Sequence, residues 1–359
     1  MTLTYIALIV GLFFALNIGA SGAAASISVA YGSGAIPTKK KALLLCGIAI
    51  FAGAAIGGSE VVKTIGTGII PQTILSDKIV LIILASAALS LFIANVLGIP
   101  LSTSEITVGS VVGVGIAYQA LYINNILVIV SFWILIPAIA FILAVMVGKL
   151  IKKLEKKYPG LKTAKAQKII SIFVIIVGFF EAFSAGMNNV ANAIGPLVGA
   201  NLISMNTGTF LGGLFVALGA ILLGGNVLQT NGKKITTFSL LEGGAISGTG
   251  AFLVILSSIY GLPVPLTQVT STAIMGIATV QKGSSTLKKN IISKILKVWL
   301  VSPIFSLVIS YGLVKSIIYM DIYSMVVLFS VCAATLGIIS LIKTINEDRR
   351  VYQENGGGI

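Results

Sequence analysis

Three asparagines, Asn188, Asn189 and Asn192, fall within five residues of the otherwise apolar stretch "SAGMNNVANAIGPLVGA" (184–200). A side-chain amide carries an NH₂ donor that can face an acceptor such as an anion. Gly186 precedes the amides, and an asparagine beside a glycine can cap a new half-helix whose free N–H groups and positive dipole end attract an anion. The sequence therefore predicts a helix break at Gly186 and an anion-binding site at the three amides.

A related pattern follows the first apolar run, where Gly19 and Ser21 lie in "GASGAAASIS" (19–28). Two proline-containing stretches, 98–115 and 261–278, resemble non-helical turns that present hydroxyls, and such backbone is tolerated at membrane depth only inside protein or beside a cavity. The hydroxyls that we predict to contact the anion belong to Ser21, Ser102, Thr103, Ser104 and Thr267. Two alternatives stay open: Ser and Thr can bond to their own helix turn, and small residues can serve helix packing alone.

Three acidic residues, Glu105, Glu181 and Glu242, interrupt apolar segments. An ionisable group at membrane depth is costly, which makes each one a functional candidate. Buried carboxyls suit proton carriage because burial favours their neutral form. Each of them could instead bond structurally to a neighbouring backbone group or amide.

The composition requires that these groups sit in a membrane. Of the 359 residues, 57% are hydrophobic and only 9% are charged, whereas about a quarter of the residues of an ordinary soluble domain are charged. Apolar runs long enough to cross a hydrocarbon core recur along the chain, and they lack the alternating pattern of a β-barrel. We predict an all-α polytopic membrane protein with about 11 transmembrane segments, within a range of roughly 10–12, arranged in two repeats with broken helices.

Other classes of function are disfavoured. The chain has no His and two isolated Cys, and it offers no plausible metal cluster or nucleotide loop, so an enzyme, a metal and a cofactor are not expected. The net charge of +14 could suggest a nucleic-acid partner. Its placement instead indicates membrane topology, with lipid as the surrounding partner.

The distribution of basic residues predicts the orientation. If every apolar segment crosses and the N-terminus is outside, 21 of the 24 basic residues fall in inner loops or in the C-terminal tail. Lys63, Lys78 and Lys315 are the exceptions. The positive-inside rule then predicts a multi-pass protein of the plasma membrane with its N-terminus outside and its C-terminus in the cytoplasm. The oligomeric state stays open, with a homodimer among the alternatives.

Three blocks of sequence recur in the same order in the two halves. Residues 53–69 match 219–235, residues 98–115 match 261–278, and residues 19–28 match 186–195. The second copy begins five crossings after the first, so the copies enter the membrane in opposite directions, as in many secondary transporters. The predicted regions are a first repeat (1–148), a basic cytoplasmic connector (149–168), a second, inverted repeat (169–314), a terminal helix (315–345) and a cytoplasmic tail (346–359). Whether 98–115 and 261–278 cross fully or form re-entrant hairpins is left open.

The motifs "GMNNVANAIGPLVG", "GLPVPLTQVTSTAIMG" and "GIPLSTSEITVGSVVG" resemble the duplicated signatures of the inorganic phosphate transporter (PiT) family. The resemblance spans nearly the whole chain and implies a symporter of a tetrahedral oxyanion. Phosphate transporters of that family carry G-A-N-D-V-A-N-A and P-V-S-T-T-H in both halves. The two aspartates of that pattern fall at Gly22 and Asn189, and the two histidines fall at Glu105 and Gln268.

These departures remove acidity from the motifs, and the pattern resembles the CysP-type branch of bacterial sulfate permeases within the family. Sulfate is an acceptor on every oxygen, whereas monohydrogen phosphate can donate its proton to a carboxylate, so a site made of donors suits sulfate. The sequence therefore predicts proton-coupled import of sulfate or a related oxyanion by alternating access, with Gly22 added to the binding residues. An inorganic phosphate symporter, coupled to protons or sodium, is the alternative, and a channel-like or structural membrane protein is a second one.

Overall fold

The computed structural model describes residues 2–96, 102–235, 238–283, 289–324, 326–327 and 330. The described part is helical and contains no strand, which confirms the predicted all-α class. Its α-helices are α1 (Thr2–Ile18), α2 (Ser28–Gly32), α3 (Lys39–Gly57), α4 (Ser59–Thr67), α5 (Asp77–Val96), α6 (Thr103–Ala117), α7 (Ile123–Lys157), α8 (Ala164–Gly199), α9 (Met205–Leu223), α10 (Gly225–Ile235), α11 (Leu240–Ile259), α12 (Leu266–Lys282) and α13 (Lys289–Ile317). A π-helix (Gly19–Ala23) follows α1, and two 3₁₀ turns lie at Gln72–Ile74 and Pro159–Lys162.

Seven helical stretches of the described residues are long and apolar enough to cross a membrane. They are Thr2–Ala23, Lys39–Gly57, Asp77–Ala94, Ile123–Lys157, Ala164–Gly199, Met205–Leu223 and Leu240–Ile259, and Thr103–Ala117 and Val301–Ile317 are shorter apolar helices. The 11 apolar segments predicted from the sequence are centred near residues 10, 50, 88, 112, 138, 178, 215, 250, 273, 302 and 332. The first ten of these centres lie on helices. The last, near residue 332, lies mostly outside the described residues, as do Pro100 and the tail 346–359.

Polar residues begin several of these helices. The side chain of Thr163 accepts a hydrogen bond from the backbone N of Ala166 at the start of α8, and Ser204 accepts one from Thr207 at the start of α9. Such caps satisfy N–H groups that have no partner within the helix. The basic connector predicted over 149–168 is largely helical, because α7 continues to Lys157 and α8 begins at Ala164.

The long helix α7 provides a reference for depth, since its 35 residues span about 52 Å. Near its first turn, Asn125 Nδ2 donates to the carbonyl of Gly68 at 2.8 Å. The C-terminal turn of α6 lies at this same end, where a Cβ on Gly115 would meet Ile70 and Leu121. The helix pair α5–α6, which we call the first hairpin, therefore returns to the level at which α7 begins.

The helix pair α11–α12, which we call the second hairpin, starts and returns at the other end of α7. Lys152 Nζ donates to the carbonyl of Val280 at 3.3 Å near the end of α12. Ser239, the N-cap of α11, donates its hydroxyl to Glu155 at 3.0 Å. The two hairpins thus have their open ends at opposite ends of α7.

Helix order and length recur between the two halves. The helices α3 and α9 have 19 residues each, and α5 and α11 have 20 each. The helices α4 and α10 have 9 and 11 residues, and α6 and α12 have 15 and 17. This order agrees with the duplicated sequence blocks, while the inverted relation of the halves stays a prediction.

The predicted break at Gly186 is wrong, because α8 runs without interruption from Ala164 to Gly199. Gly186 serves a close helix crossing instead: a Cβ there would lie 2.0 Å from the carbonyl oxygen of Ile50 in α3. Small residues at such a crossing allow two backbones to approach. In the first half the α-helix does end at Ile18 and continues as the π-helix, and a Cβ on Gly19 would lie 1.9 Å from the carbonyl oxygen of Val216.

The described residues up to Ser310 form one compact unit, and the described residues from Tyr311 to 330 belong to a second. In the second unit, Lys315 Nζ lies 4.7 Å from the ring centroid of Tyr319. The Asp321 carboxylate accepts hydrogen bonds from the hydroxyl of Ser324 at 2.6 Å and from its backbone N, and these bonds lower the pKa of Asp321. The predicted terminal helix 315–345 lies mostly outside the described residues.

Candidate functional site

A small cavity lies where the first turns of α6 and α12 meet α8 and the π-helix. Its lining residues are Gly22, Ser102, Thr103, Asn189, Leu266 and Thr267. Five of these six were predicted from the sequence as anion contacts. The cavity volume is about 10 Å³, which is room for about one water molecule.

Two helix N-termini open onto this cavity. The caps, Ser102 before α6 and Pro265 before α12, are extended, and neither side chain caps its helix. The first-turn backbone N–H groups of Thr103, Ser104, Glu105, Leu266 and Thr267 donate to no acceptor within the described part of the chain. Free N–H groups and two positive dipole ends therefore face one small space, which is an arrangement that favours an anion.

The amide of Asn188 is fully engaged in structural hydrogen bonds. Its Nδ2 donates to Ser258 Oγ at 3.1 Å and to the carbonyl of Leu262 at 3.0 Å. Its Oδ1 accepts a bond from Ser104 Oγ at 3.4 Å. Asn188 therefore ties α8 to both hairpins, and no donor is left to contact a ligand.

Asn192 is also used in bonds within the protein. Its Nδ2 lies 3.3 Å from both Thr103 Oγ1 and Ser104 Oγ, at the first turn of α6. Its Oδ1 has no partner among the described residues. The amide positions the start of α6 and does not line the cavity.

Asn189 alone of the three amides lines the cavity. Its side chain forms no hydrogen bond with the described residues, although only 3% of the residue is exposed. It lies ten residues, about 15 Å along the axis, from the C-terminal end of α8. A buried amide without a protein partner is available for a ligand.

The predicted hydroxyls divide in the same way. Ser102 and Thr267 line the cavity. Ser104 does not line it, and its hydroxyl lies 3.4 Å from both Asn188 Oδ1 and the carbonyl oxygen of Val264. Ser21 donates to the carbonyl of Asn17 at 2.9 Å, within its own helix turn, and it is not part of the lining. A Cβ on Gly22 would meet no atom within 4 Å, so open space lies beside that residue.

Glu105 and Gln268 form a buried pair between the two hairpins. Gln268 Nε2 donates to Glu105 Oε1, and the two residues are 1% and 3% exposed. Glu105 is in the same first turn of α6 as the cavity-lining Thr103, and Gln268 directly follows Thr267. The pair therefore borders the cavity and joins α6 to α12.

Glu181 lies nearer the N-terminal end of α8, seven residues or about 10 Å before Asn188. It is fully buried, and its Oε1 accepts a hydrogen bond from Thr270 Oγ1 at 3.0 Å. Its Oε2 has no partner among the described residues. Glu181 does not line the cavity.

Glu242 is held at the start of α11 by a capping box. The backbone N of Ser239 donates to Glu242 Oε2 at 2.8 Å, and Ser239 Oγ accepts from the backbone N of Glu242. Gln281 Nε2 also donates to Glu242 Oε2 at 2.5 Å. These bonds give the carboxylate a structural role that explains its place in the sequence.

Sequence reasoning missed two residues of the site. Leu266 lines the cavity through its place at the N-terminus of α12, and Pro265 before it was the available signal for a helix start. Gln268 was noted as a departure from a family pattern, but its contact with Glu105 joins two hairpins and residues that are 163 positions apart. Among the described residues no group of three or more His, Cys, Asp or Glu could hold a metal ion.

Residues 18–310 match a family model described as the phosphate transporter family. The sulfate permease CysP of Bacillus subtilis is 57% identical over 353 residues, covering 98% of this chain and 99% of that protein. A putative phosphate permease of Pyrococcus abyssi is 30% identical over 395 residues, covering 87% and 96%. A solved structure of a sodium-dependent phosphate transporter is 24% identical with a TM-score of 0.78, covers 89% of this chain and 100% of that one, and shares the fold.

Proposed function

Because the chain belongs to the phosphate transporter family, we propose that it is a secondary active importer of sulfate that works across the plasma membrane and is coupled to protons. Family and relatives are oxyanion transporters rather than enzymes. The family does not distinguish sulfate from other oxyanions, so the proposal of sulfate as the substrate depends on the chemistry of the cavity.

One observation carries the choice of sulfate: the described lining of the cavity offers hydrogen-bond donors and no carboxylate. Asn189 can present its NH₂ group, Ser102 and Thr267 their hydroxyls, and the two helix N-termini their N–H groups. Sulfate accepts on every oxygen, so each of these donors can be satisfied. The similarity to the sulfate permease of Bacillus subtilis supports the same substrate.

An inorganic phosphate symporter is the second candidate. It is supported by the similarity to the putative phosphate permease of Pyrococcus abyssi. Monohydrogen phosphate would bring one donor into this site, where the lining offers it a neutral hydroxyl or amide oxygen but no carboxylate, and a hydrogen bond to a neutral acceptor is the weaker one. Asn189 can supply an acceptor only by turning its Oδ1 inward, which withdraws its NH₂ group from the anion.

The placement of the two hairpins supports the proposal of alternating access. The helices α6 and α12 have 15 and 17 residues, about 22 and 26 Å, and are shorter than a hydrocarbon core of about 30 Å. We propose that both hairpins are re-entrant, enter from opposite faces, and meet at the cavity as the inverted halves of a transporter. Separation of their ends on one face would admit sulfate to a space that has room for only about one water molecule.

Uptake of radiolabelled sulfate into proteoliposomes tests this function. An acidic exterior should accelerate uptake, an inward sodium gradient at constant pH should not, and phosphate should compete weakly. Phosphate uptake that is unaffected by excess sulfate would support the second candidate and reject sulfate import. Protein-free liposomes provide the background.

A further inference from the structure

The Glu105–Gln268 pair has one unfilled hydrogen-bonding position. Gln268 Nε2 donates to Glu105 Oε1, but Gln268 Oε1 is buried without a partner among the described residues. An amide oxygen only accepts, and an ionised carboxylate also only accepts. The donor that this arrangement lacks is a proton on Glu105.

We propose that Glu105 and Gln268 bind the coupling proton together as an acid–amide pair. The proton is held on Glu105 Oε2, from which it is donated to Gln268 Oε1, while Gln268 Nε2 donates to Glu105 Oε1. This inference rests on the proposed function, because it assumes proton-coupled transport. It selects one carboxyl from the three candidates and gives Gln268 the role of partner.

Among the described residues, neutral donors but no cation face Glu105, so nothing there neutralises an ionised carboxylate. From α12 it faces Gln268, and from α13 it faces Ser302, whose hydroxyl is fully buried and has no partner among the described residues. From α8, Asn192 donates to the hydroxyls of Thr103 and Ser104, which precede Glu105 in α6. An uncompensated charge at such a buried position is costly, so the neutral acid is the form that this packing accommodates.

Charged groups on the helices that pack against α6 are engaged elsewhere. Glu60 and Lys63 of α4 pair with each other at 2.6 Å. Asp77, at the start of α5, accepts a hydrogen bond from Thr4, and Lys78 is the next residue of that first turn, at the end of α5 far from Glu105 in sequence. On α8, Glu181 binds Thr270.

The pair also couples the proton to the anion site. Glu105 is on the first turn of α6 and Gln268 on the first turn of α12, the two helices whose N-termini line the cavity. With the proton bound, both hydrogen bonds hold these N-termini together around the anion. Loss of the proton removes one of these bonds and leaves a carboxylate beside the site for the dianion. The repulsion between the two negative charges then favours release of the anion after the proton has left.

The test compares two transport modes of the full chain reconstituted in proteoliposomes with radiolabelled sulfate. One mode is net uptake driven by an acidic exterior, and the other is sulfate exchange at equal pH on both sides. In Glu105→Gln the new amide can form both bonds with Gln268 without a titrating proton. We expect net uptake to fall at least about tenfold, while exchange persists and loses its dependence on pH.

Glu60→Gln is the matched control, since it makes the same chemical change at an exposed position and should behave as the unmodified protein does. The double variant Glu105→Gln with Gln268→Glu exchanges the two groups and should restore proton-driven uptake.

Persistence of proton-driven uptake in Glu105→Gln would overturn the inference, and so would loss of exchange together with net uptake in both the single and the double variant. An unmodified protein that exchanges no sulfate would instead reject the proposed function. Exchange without any response to a pH gradient would reject proton coupling.

Discussion

Asn189 differs from its two neighbours in what its amide contacts. Asn188 and Asn192 donate to hydroxyl and carbonyl groups of the hairpins, whereas Asn189 faces the cavity without a partner among the described residues. Three residues of one type within five positions therefore divide into two that position helices and one whose amide is free to contact a ligand in the cavity.

Asn189→Asp should weaken sulfate uptake more than phosphate uptake. The carboxylate replaces an NH₂ donor by an acceptor, and a hydrogen bond to a charged group is worth about 1.5–3 kcal/mol. Sulfate uptake at subsaturating concentration should thus fall about tenfold or more. Asn201→Asp, in an exposed turn, is the control for the added charge, and an equal loss for both anions would argue against a site made of donors.

Asn188→Asp should affect folding stability more than substrate preference. An aspartate cannot donate to Ser258 or to the carbonyl of Leu262, so two buried bonds are lost. A buried polar group left without its partner costs about 1–3 kcal/mol. We expect a lower thermal midpoint in detergent, and a midpoint equal to that of Asn189→Asp would contradict the different roles of the two residues.

At the scale of helices, the glycines of the two halves make equivalent crossings. A Cβ on Gly53 would lie 1.9 Å from the carbonyl of Phe183, and one on Gly219 would lie 2.0 Å from the carbonyl of Leu16. Gly19 and Gly186 approach α9 and α3 in the same way. These contacts relate α1 to α8 and α3 to α9, in agreement with the repeat predicted from sequence.

Gly186→Ala should destabilise the protein because its methyl group would lie 2.0 Å from the Ile50 carbonyl oxygen. Backbone atoms must move to relieve such overpacking, at a cost of about 1–3 kcal/mol. Thermal unfolding in detergent would measure the loss. Gly160→Ala is the control, since a Cβ at that position meets no atom within 4 Å, and equal midpoints for the two variants would contradict the close crossing.

For the whole molecule, re-entrant hairpins change the number of crossings but not the orientation. Making both α5–α6 and α11–α12 re-entrant removes an even number of crossings, so the predicted N-terminus outside and C-terminus inside are retained. Lys39 and Lys152 then lie at the cytoplasmic end, where a Cβ on Gly225 would meet Lys39 and where Lys152 binds the carbonyl of Val280. In this predicted orientation Lys63 and Lys78 lie at the outer end.

Cysteine labelling in intact cells tests this orientation. In a chain with Cys46 and Cys332 replaced by alanine, Thr73→Cys should react with a membrane-impermeant maleimide added outside. Gly160→Cys should react only after the membrane is permeabilised. Both positions are exposed in the structure, so labelling of Gly160→Cys in intact cells would contradict the predicted orientation.

The sequence by itself determined the membrane class, the all-α fold, the family resemblance and five of the six residues that line the cavity. These follow from local composition, periodicity and motifs, which are properties of adjacent residues. The sequence-based prediction of a break at Gly186 was wrong, because a glycine that permits a break and a glycine that permits a close crossing have the same local pattern.

Only the tertiary structure decided which polar groups are engaged and which are free. Asn188 is satisfied by residues about 70 positions away, and Glu105 meets Gln268 across 163 positions. Hydrogen-bond satisfaction of a buried group depends on its neighbours in space, which a single sequence does not specify. For that reason the folded chain, and not its motifs, distinguishes Asn189 and the Glu105–Gln268 pair from the other polar residues within the membrane.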